Sequence, residues 1–348
     1  MPYTPHDTTA PRIALVGATG AVGETLIGLI EDRAFRYREI QLVASPRSQG
    51  RTLRVDGREH RVSAVDTFDF STVDLAFFSA GSDVSRKWAP VAAAQGALVI
   101  DNTNAFRMDP DTPLVVPQVN ADALATRPAS GIVANPNCST IPLVRLLRPI
   151  EDRWGLSKVV VSTYQAASGR GHSGTAELHE ATRAALANPA DPGPQAEFAP
   201  TLAFNVIPFI DELLDSGFTM EEQKMLQESR KILALRHLDV TTTCVRVPVR
   251  NGHSEAVWIE CHDVVDRAEL VAALCALPEV TVHDRDAPGA FPTPRTIAEA
   301  NDVHVGRIRV SPHNPRGCWL WVVADNLRIG AALNALQIAE ELVARGTL

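Results

Sequence analysis

The sequence has no Cys-x-x-Cys pair. Its five cysteines, Cys138, Cys244, Cys261, Cys275 and Cys318, are odd in number and widely spaced. This argues against a disulfide framework and a cysteine-built zinc site, so no metal is expected, and it fits free thiols in a reducing cytoplasm. Nor is there an apolar run near the roughly 18 residues that a membrane helix needs. The first ten residues, Met1 to Ala10, lack the apolar core of a signal peptide and read as a loose tail. A basic excess is missing too: the net charge is −8 and the pI about 5.7. Nucleic acid is therefore a poor partner, although a local cationic pocket for a phosphorylated substrate remains open. Repeats and low-complexity tracts are absent.

What is present suits a globular chain. At 348 residues and 45% hydrophobic content there is room for two domains with a substantial core. The strand-like Arg12 to Val16 runs into Gly17-Ala18-Thr19-Gly20-Ala21-Val22-Gly23, followed by the amphipathic Glu24 to Asp32. Strand, glycine turn and helix are the context of a dinucleotide-binding loop, where glycines admit a pyrophosphate and the helix N-terminus neutralises it. The alternative is a plain tight turn. A second strand, Ile40 to Ala44, ends at Ser45-Pro46-Arg47-Ser48. An NAD site usually carries Asp or Glu here, whereas a cation with hydroxyls suits the 2′-phosphate of NADP. The competing view is a solvated surface arginine.

Further strands are read at Val73–Ser79 and Ala97–Asp101, with a helix over Val84–Gln95 despite Pro90, which implies a mostly parallel sheet. The polar loop Asp101 to Asp109 follows a strand end, and its Arg107 could clamp a phosphate or carboxylate or form a surface ion pair. Asn135-Pro136-Asn137-Cys138-Ser139-Thr140 lies between an apolar run and a helix-compatible stretch, Ile141 to Ile150. A thiol at a helix N-terminus ionises more readily, and the thiolate is the nucleophile. The alternative for Cys138 is a buried structural cysteine.

The second half continues with strand Lys158 to Tyr164, the small-residue turn Gln165 to Gly171 and a helix over Thr175–Leu186. Pro189, Pro192, Pro194 and Pro200 mark an irregular connection, and a helix opens near Glu221. Asn251-Gly252, between β-rich runs, reads as a hairpin turn, with Arg246 on strand Val240–Val249 and His253 beside the turn. Histidine is the natural acid/base near neutral pH. His172 and His313 also lie in loops. Strands Ala256–His262 and Cys318–Ala324 suggest an α+β domain, and Leu327 to Leu342 reads as one long helix.

Together these residues resemble aspartate-semialdehyde dehydrogenase over nearly the whole chain. The matching stretches are Gly17 to Gly23, Asp101-Asn102-Thr103 with Phe106-Arg107, Asn135 to Thr140, and Tyr164-Gln165-Ala166 with Ser168-Gly169. Glu222 with Lys224-Met225, Arg246 to Val249 with His253-Ser254, and Asp325 to Arg328 with Gly330 complete the set. The resemblance implies an α/β protein: a Rossmann-type NADP-binding domain (1–137 and 326–348) plus an α+β catalytic and dimerisation domain (138–325). It implies a homodimer and NADPH-dependent reductive dephosphorylation of 4-phospho-L-aspartate to the semialdehyde, on the route to lysine, methionine and threonine.

The resemblance also implies roles. Cys138 would be the acyl-forming nucleophile and His253 the acid/base. Gln165, Glu222 and Arg246 would contact substrate, with Glu222 meeting its amine and Arg246 its carboxylate. Arg107, Asn137 and Lys224 would bind phosphate. Thr19, Gly20, Ala21, Val22, Arg47, Ser48, Ser168, Gly169 and Asn326 would contact NADP. The chain departs from the family pattern at Asn104, Gln118, Ile329 and the bulkier loop Gly169 to Ser173. Other acyl-phosphate reductases would share the thiolate, the histidine and NADP. In the nearest of these, N-acetyl-glutamyl-phosphate reductase, the cysteine typically follows Pro-Gly, whereas Asn137 precedes Cys138 here.

Overall fold

A computed structural model describes residues 10–191, 193–284 and 289–348. The tail before Ala10 and Pro192 of the proline-rich connection lie outside the described residues. The chain divides into two compact units, one of Met1–Asn137 with Ala331–Leu348 and the other of Cys138–Gly330.

The first unit is built on six parallel strands. They are β1 (Arg12–Val16), β2 (Glu39–Ala44), β5 (Ser63–Ala64), β6 (Leu75–Phe78), β7 (Leu98–Asp101) and β8 (Ile132–Ala134), in the order β5-β2-β1-β6-β7-β8. A separate hairpin pairs β3 (Thr52–Val55) with β4 (Arg58–Arg61). β6 and β7 are buried at every position, as expected of strands covered on both faces. The helices are α1 (Ala21–Asp32), α2 (Ser82–Ala94), the short α3 (Pro117–Asn120) and, from the C-terminal segment, α8 (Leu333–Arg345). Phe70, Val73, Phe78, Val99 and Ile132 help fill one core cluster, with Ala89 and Ala92 of α2 packed into it. Pro90 is tolerated on the exposed side of that helix.

The second unit carries a mixed sheet. Its strands are β9 (Leu156–Gln165), β10 (Asp239–Arg246), β11 (His253–Cys261), β12 (Val280–His283), β13 (Val303–Val310) and β14 (Gly317–Ala324), in the order β10-β9-β11-β14-β13-β12. Its helices are α4 (Thr140–Trp154), α5 (Gly171–Ala187), α6 (Met220–Leu233) and α7 (Arg267–Cys275). On β9 and β11 buried positions alternate with half-exposed ones, the period-two signature of a sheet with one covered face.

Three local expectations need correction. The Asn251-Gly252 turn does not join a hairpin: β9 lies between β10 and β11, parallel to the first and antiparallel to the second. Pro248 has no N–H to extend β10. Residues 247–250 instead bond across the end of β9, through Val247 N–H to the Gln165 carbonyl and Ala167 N–H to the Val249 carbonyl (3.0 and 2.8 Å). His253 therefore opens β11. Helix α5 starts at Gly171, so the bulkier loop is a 3-10 turn, Ala167–Arg170, leading straight into a helix. The C-terminal helix is two pieces, a π turn over Arg328–Ala332 and then α8 (Leu333–Arg345). Among the described residues no helix is long and apolar enough to cross a membrane.

Candidate active site

In the first unit, β1 delivers the chain to Gly17, whose φ of +99° favours glycine. The N–H groups of Gly17 and Ala18 both donate to the Val43 carbonyl at the end of β2, at 2.8 and 3.2 Å. A side chain on Gly23 would stand 2.3 Å from the Gly17 carbonyl oxygen, so only glycine lets α1 begin there. Gly20 caps α1 without a side-chain acceptor, leaving the first-turn N–H groups of Ala21 and Val22 to face an anion. Thr19 Oγ1 lies 3.4 Å from Ser48 Oγ, and Arg47 beside it is exposed. This cradle of backbone N–H groups, two hydroxyls and a cation fits a dinucleotide with an extra phosphate.

Arg107 is buried in the same unit. Its Nε and Nη2 donate to the carbonyls of Asn135 and Asn102, each at 2.9 Å, which fixes the plane of the guanidinium. Asn135 is held in turn by Asn334, whose Nδ2 donates to its Oδ1 at 2.6 Å.

In the second unit, Cys138 immediately precedes α4 and is half-buried. A Cβ built on Gly330 would lie 3.0 Å from the Cys138 carbonyl oxygen and 3.1 Å from its Cβ, so the π turn passes the cysteine closely enough that a side chain at residue 330 would displace one or the other by a few tenths of an ångström. The ends of β9 and β10 stand in register, with Gln165 opposite Arg246. The Gln165 amide donates to Ser139 Oγ and to Glu221 Oε1, both at 3.1 Å. The other Glu221 oxygen accepts from Lys224 Nζ at 3.3 Å, and Lys224 also pairs with Asp211.

Arg246 Nη1 donates to the Ala166 carbonyl at 2.7 Å, and its guanidinium lies over the Phe198 ring at 5.8 Å. A Cβ on Gly169 would sit 2.7 Å from that same nitrogen. Burial pushes the Arg246 pKa down, while negative charge at Glu221 and Cys138 works the other way. His253 is buried, and its Nδ1 accepts the Ala166 N–H at 3.0 Å. The ring proton of the neutral imidazole is thereby placed on Nε2, which has no partner among the described residues. Burial first, and the Arg246 charge second, hold the His253 pKa well below the ordinary histidine value. Ser168 Oγ donates to Asn251 Oδ1 at 2.9 Å and also pairs with the Asn326 amide, whose oxygen accepts the Gly252 N–H at 2.9 Å.

The structure thus gathers Cys138, Gln165, Arg246 and Lys224 around Ser139 and Glu221. His253 joins Arg246 through Ala166. It does not leave Glu222 available as the amine partner. Glu222 Oε2 accepts the Thr219 N–H at 2.8 Å in a capping box, and Oε1 accepts the Cys244 N–H at 3.1 Å. Backbone donors occupy both oxygens, and the acid that faces the site is Glu221. Thr219-x-x-Glu222 is a capping-box pattern readable from sequence, and it points Glu222 at the helix start. Ser139 and Ala166 carried no such signal. His172 and His313 are exposed. Among the described residues no cluster of three or more His, Cys, Asp or Glu could hold a metal.

Comparison with known proteins is consistent along the chain. Residues 12–127 match the semialdehyde dehydrogenase NAD binding domain, and residues 147–329 match the semialdehyde dehydrogenase dimerisation domain. The aspartate-semialdehyde dehydrogenase of Aquifex aeolicus is 45% identical over 97% of this chain and 99% of its own length. Aspartate-semialdehyde dehydrogenase 2 of Vibrio cholerae is 47% identical over 95% and 97%. The chain belongs to the aspartate-semialdehyde dehydrogenase family. Family membership makes it an oxidoreductase of amino-acid biosynthesis. The fold agrees: the crystal structure of the Vibrio cholerae aspartate-semialdehyde dehydrogenase II complexed with ASA superposes with a TM-score of 0.93 at 44% identity, covering 96% of this chain and 98% of that one.

Proposed function

We propose that the chain reduces 4-phospho-L-aspartate to L-aspartate 4-semialdehyde with NADPH, releasing phosphate, through a thioester on Cys138. The observation that carries this reading is the convergence of Gln165, Glu221 and Arg246 on the helix start that bears Cys138. Arg246, with Nη1 anchored on the Ala166 carbonyl, is suited to a substrate carboxylate, and Glu221 to its ammonium group. Gln165 orients the substrate beside Cys138. Arg107, Asn137 and Lys224 are assigned to phosphate.

Cys138 Sγ attacks the acyl carbon. The carbon–oxygen bond to phosphate then breaks, leaving the acyl group on sulfur. This divides one displacement into two easier steps. Bound NADPH would supply the hydride that reduces this thioester. His253, neutral with its proton on Nε2, would hydrogen-bond the oxyanion that forms as hydride arrives; the carbonyl then re-forms as the carbon–sulfur bond breaks, which frees the aldehyde and returns the Cys138 thiolate. For the cofactor we assign Thr19, Gly20, Ala21, Val22, Arg47 and Ser48 in the first unit, and Ser168, Gly169 and Asn326 in the second.

We assign residues 1–137 and 326–348 to cofactor binding and 138–325 to catalysis and dimerisation. A homodimer is supported by the family's dimerisation domain and by the outward face of the second sheet. There Tyr164 and Trp319 are exposed, and the Trp258 and Trp319 rings lie 5.3 Å apart. A cytoplasmic location accords with five free thiols. The test is phosphate-dependent reduction of NADP with L-aspartate semialdehyde beside N-acetyl-glutamate semialdehyde, repeated with Cys138→Ser. Activity on the first alone, lost in the variant, is expected. Preference for the acetylated compound would overturn the substrate.

A further inference from the structure

Glu255 has no part in the machinery above, yet it is 1% exposed and neither carboxyl oxygen has a hydrogen-bond partner among the described residues. A charged carboxylate is costly in such a place, and burial holds its pKa well above the usual value. It lies two residues along β11 from His253. Alternation puts residues 253, 255, 257 and 259 on the buried face, so the two side chains stand about 7 Å apart along the strand. Across from Glu255 the register sets Thr163 of β9, whose hydroxyl stands against the Cys244 thiol, and Val322 of β14. The titratable and charged groups around this floor are Cys244 and Arg246 of β10, Glu221 and Glu222 of α6, and Cys138 at the start of α4.

Among the described residues His253 Nε2–H is a buried donor with no partner, and Glu255 is a buried acid with none. They share one strand face and are not bonded to each other. We propose that Glu255 is a positioning residue that acts through His253: as a neutral acid it leaves Nε2–H free for the reacting oxygen, and as a carboxylate it draws that N–H away. This deepens the reading of His253 as the active-site acid/base and rests on it. The physical lever is acceptor strength. A carboxylate accepts a charge-assisted hydrogen bond roughly twice as strong as a neutral group does. Raising the pH until Glu255 ionises would therefore misdirect His253.

The test follows kcat of the full chain against pH with L-aspartate semialdehyde, phosphate and NADP, for the wild type, Glu255→Gln and Glu255→Asp. Glutamine keeps the neutral shape and cannot ionise. The wild type is expected to lose kcat on the alkaline side. In Glu255→Gln the ratio of kcat one pH unit above the wild type's alkaline inflection to kcat one unit below it rises by about tenfold, the factor of one pKa unit. Glu255→Asp restores the alkaline fall. An unchanged ratio in the Gln variant would make Glu255 a spectator. A loss of kcat at every pH would make it an ionised partner of His253. Either overturns the proposal.

If the Gln variant does not fold, the Nε2–H proton resonance of His253 is followed in substrate-free wild type over the same range, assigned by its loss in His253→Asn. A downfield move with the alkaline inflection is expected, and a fixed resonance overturns the idea. That measurement needs no turnover. Failure of the reaction assignment would show separately, as folded wild type with no activity.

Discussion

The Gln165 amide donates to Glu221 Oε1 at 3.1 Å, while Glu222, the next residue, points both carboxylate oxygens at backbone N–H groups. Neighbouring acids on one helix turn therefore do different work. Replacing Glu221 by Gln should lower kcat/KM for L-aspartate semialdehyde by roughly 10- to 100-fold, the worth of a hydrogen bond to a charged group, with stability little changed. Replacing Glu222 by Ala should cost about 1–2 kcal/mol of stability by opening the capping box. Kinetics and urea unfolding of both variants check this, and the reverse pattern would return the substrate role to Glu222.

Gly330→Ala should move the nucleophile. The new methyl would meet the Cys138 carbonyl oxygen at 3.0 Å and its Cβ at 3.1 Å, so backbone at one or the other must shift by a few tenths of an ångström. A small displacement of a reacting group is costly in rate. We expect kcat to fall about tenfold or more, with KM changing less, and a stability loss of about 1–3 kcal/mol from overpacking. Full wild-type kcat would mean that the π turn yields without disturbing Cys138.

Alkylation should sort the thiols. Cys244, Cys261 and Cys318 are buried, and burial pushes the Cys261 thiol up to about 11 and the Cys318 thiol up to about 12. Iodoacetamide at neutral pH should therefore label Cys138 and the exposed Cys275, and inactivation should follow Cys138 alone. Peptide mapping during inactivation checks this, with Cys275→Ser losing activity at the wild-type rate.

Glu255 should make stability depend on pH. Its folded pKa is raised well above 4.5, so above that pH the folded state holds a proton that the unfolded state has lost. The contribution is complete below about pH 4.5 and is lost progressively as pH rises through the folded value. Glu255→Gln has no such proton. Its stability relative to wild type should grow from about pH 4.5 upward and level off once Glu255 is ionised in both states. Denaturant midpoints at four or five pH values measure this, and a gap that does not change with pH contradicts it.

Local periodicity carried much of the fold. The strand, glycine and helix succession from Arg12 to Asp32 was readable because Gly17 and Gly23 answer backbone constraints a few residues away. The parallel sheet was readable because its strands are short apolar runs separated by helical ones. The Asn251-Gly252 hairpin was misread for the opposite reason. Gly252 does take a φ of +90°, as a turn residue would, but turn chemistry says nothing about a third strand that enters between two neighbours from far along the chain.

The same division runs through the site. Residue type and spacing pointed to Cys138 at a helix start and His253 beside a turn, because a thiol and an imidazole carry their chemistry with them, whereas Gln165 and Arg246 entered as contacts only through the family resemblance. Which carboxylate faces Gln165, which imidazole nitrogen holds the proton and how closely residue 330 passes Cys138 depended on packing. Glu221, Ala166 and Cys138 are brought to their partners by contacts between residues 56 to 192 positions apart. Burial then shifts both Glu255 and His253 toward their neutral forms, with the Arg246 charge adding to the effect on His253, and burial is a property of the folded chain alone.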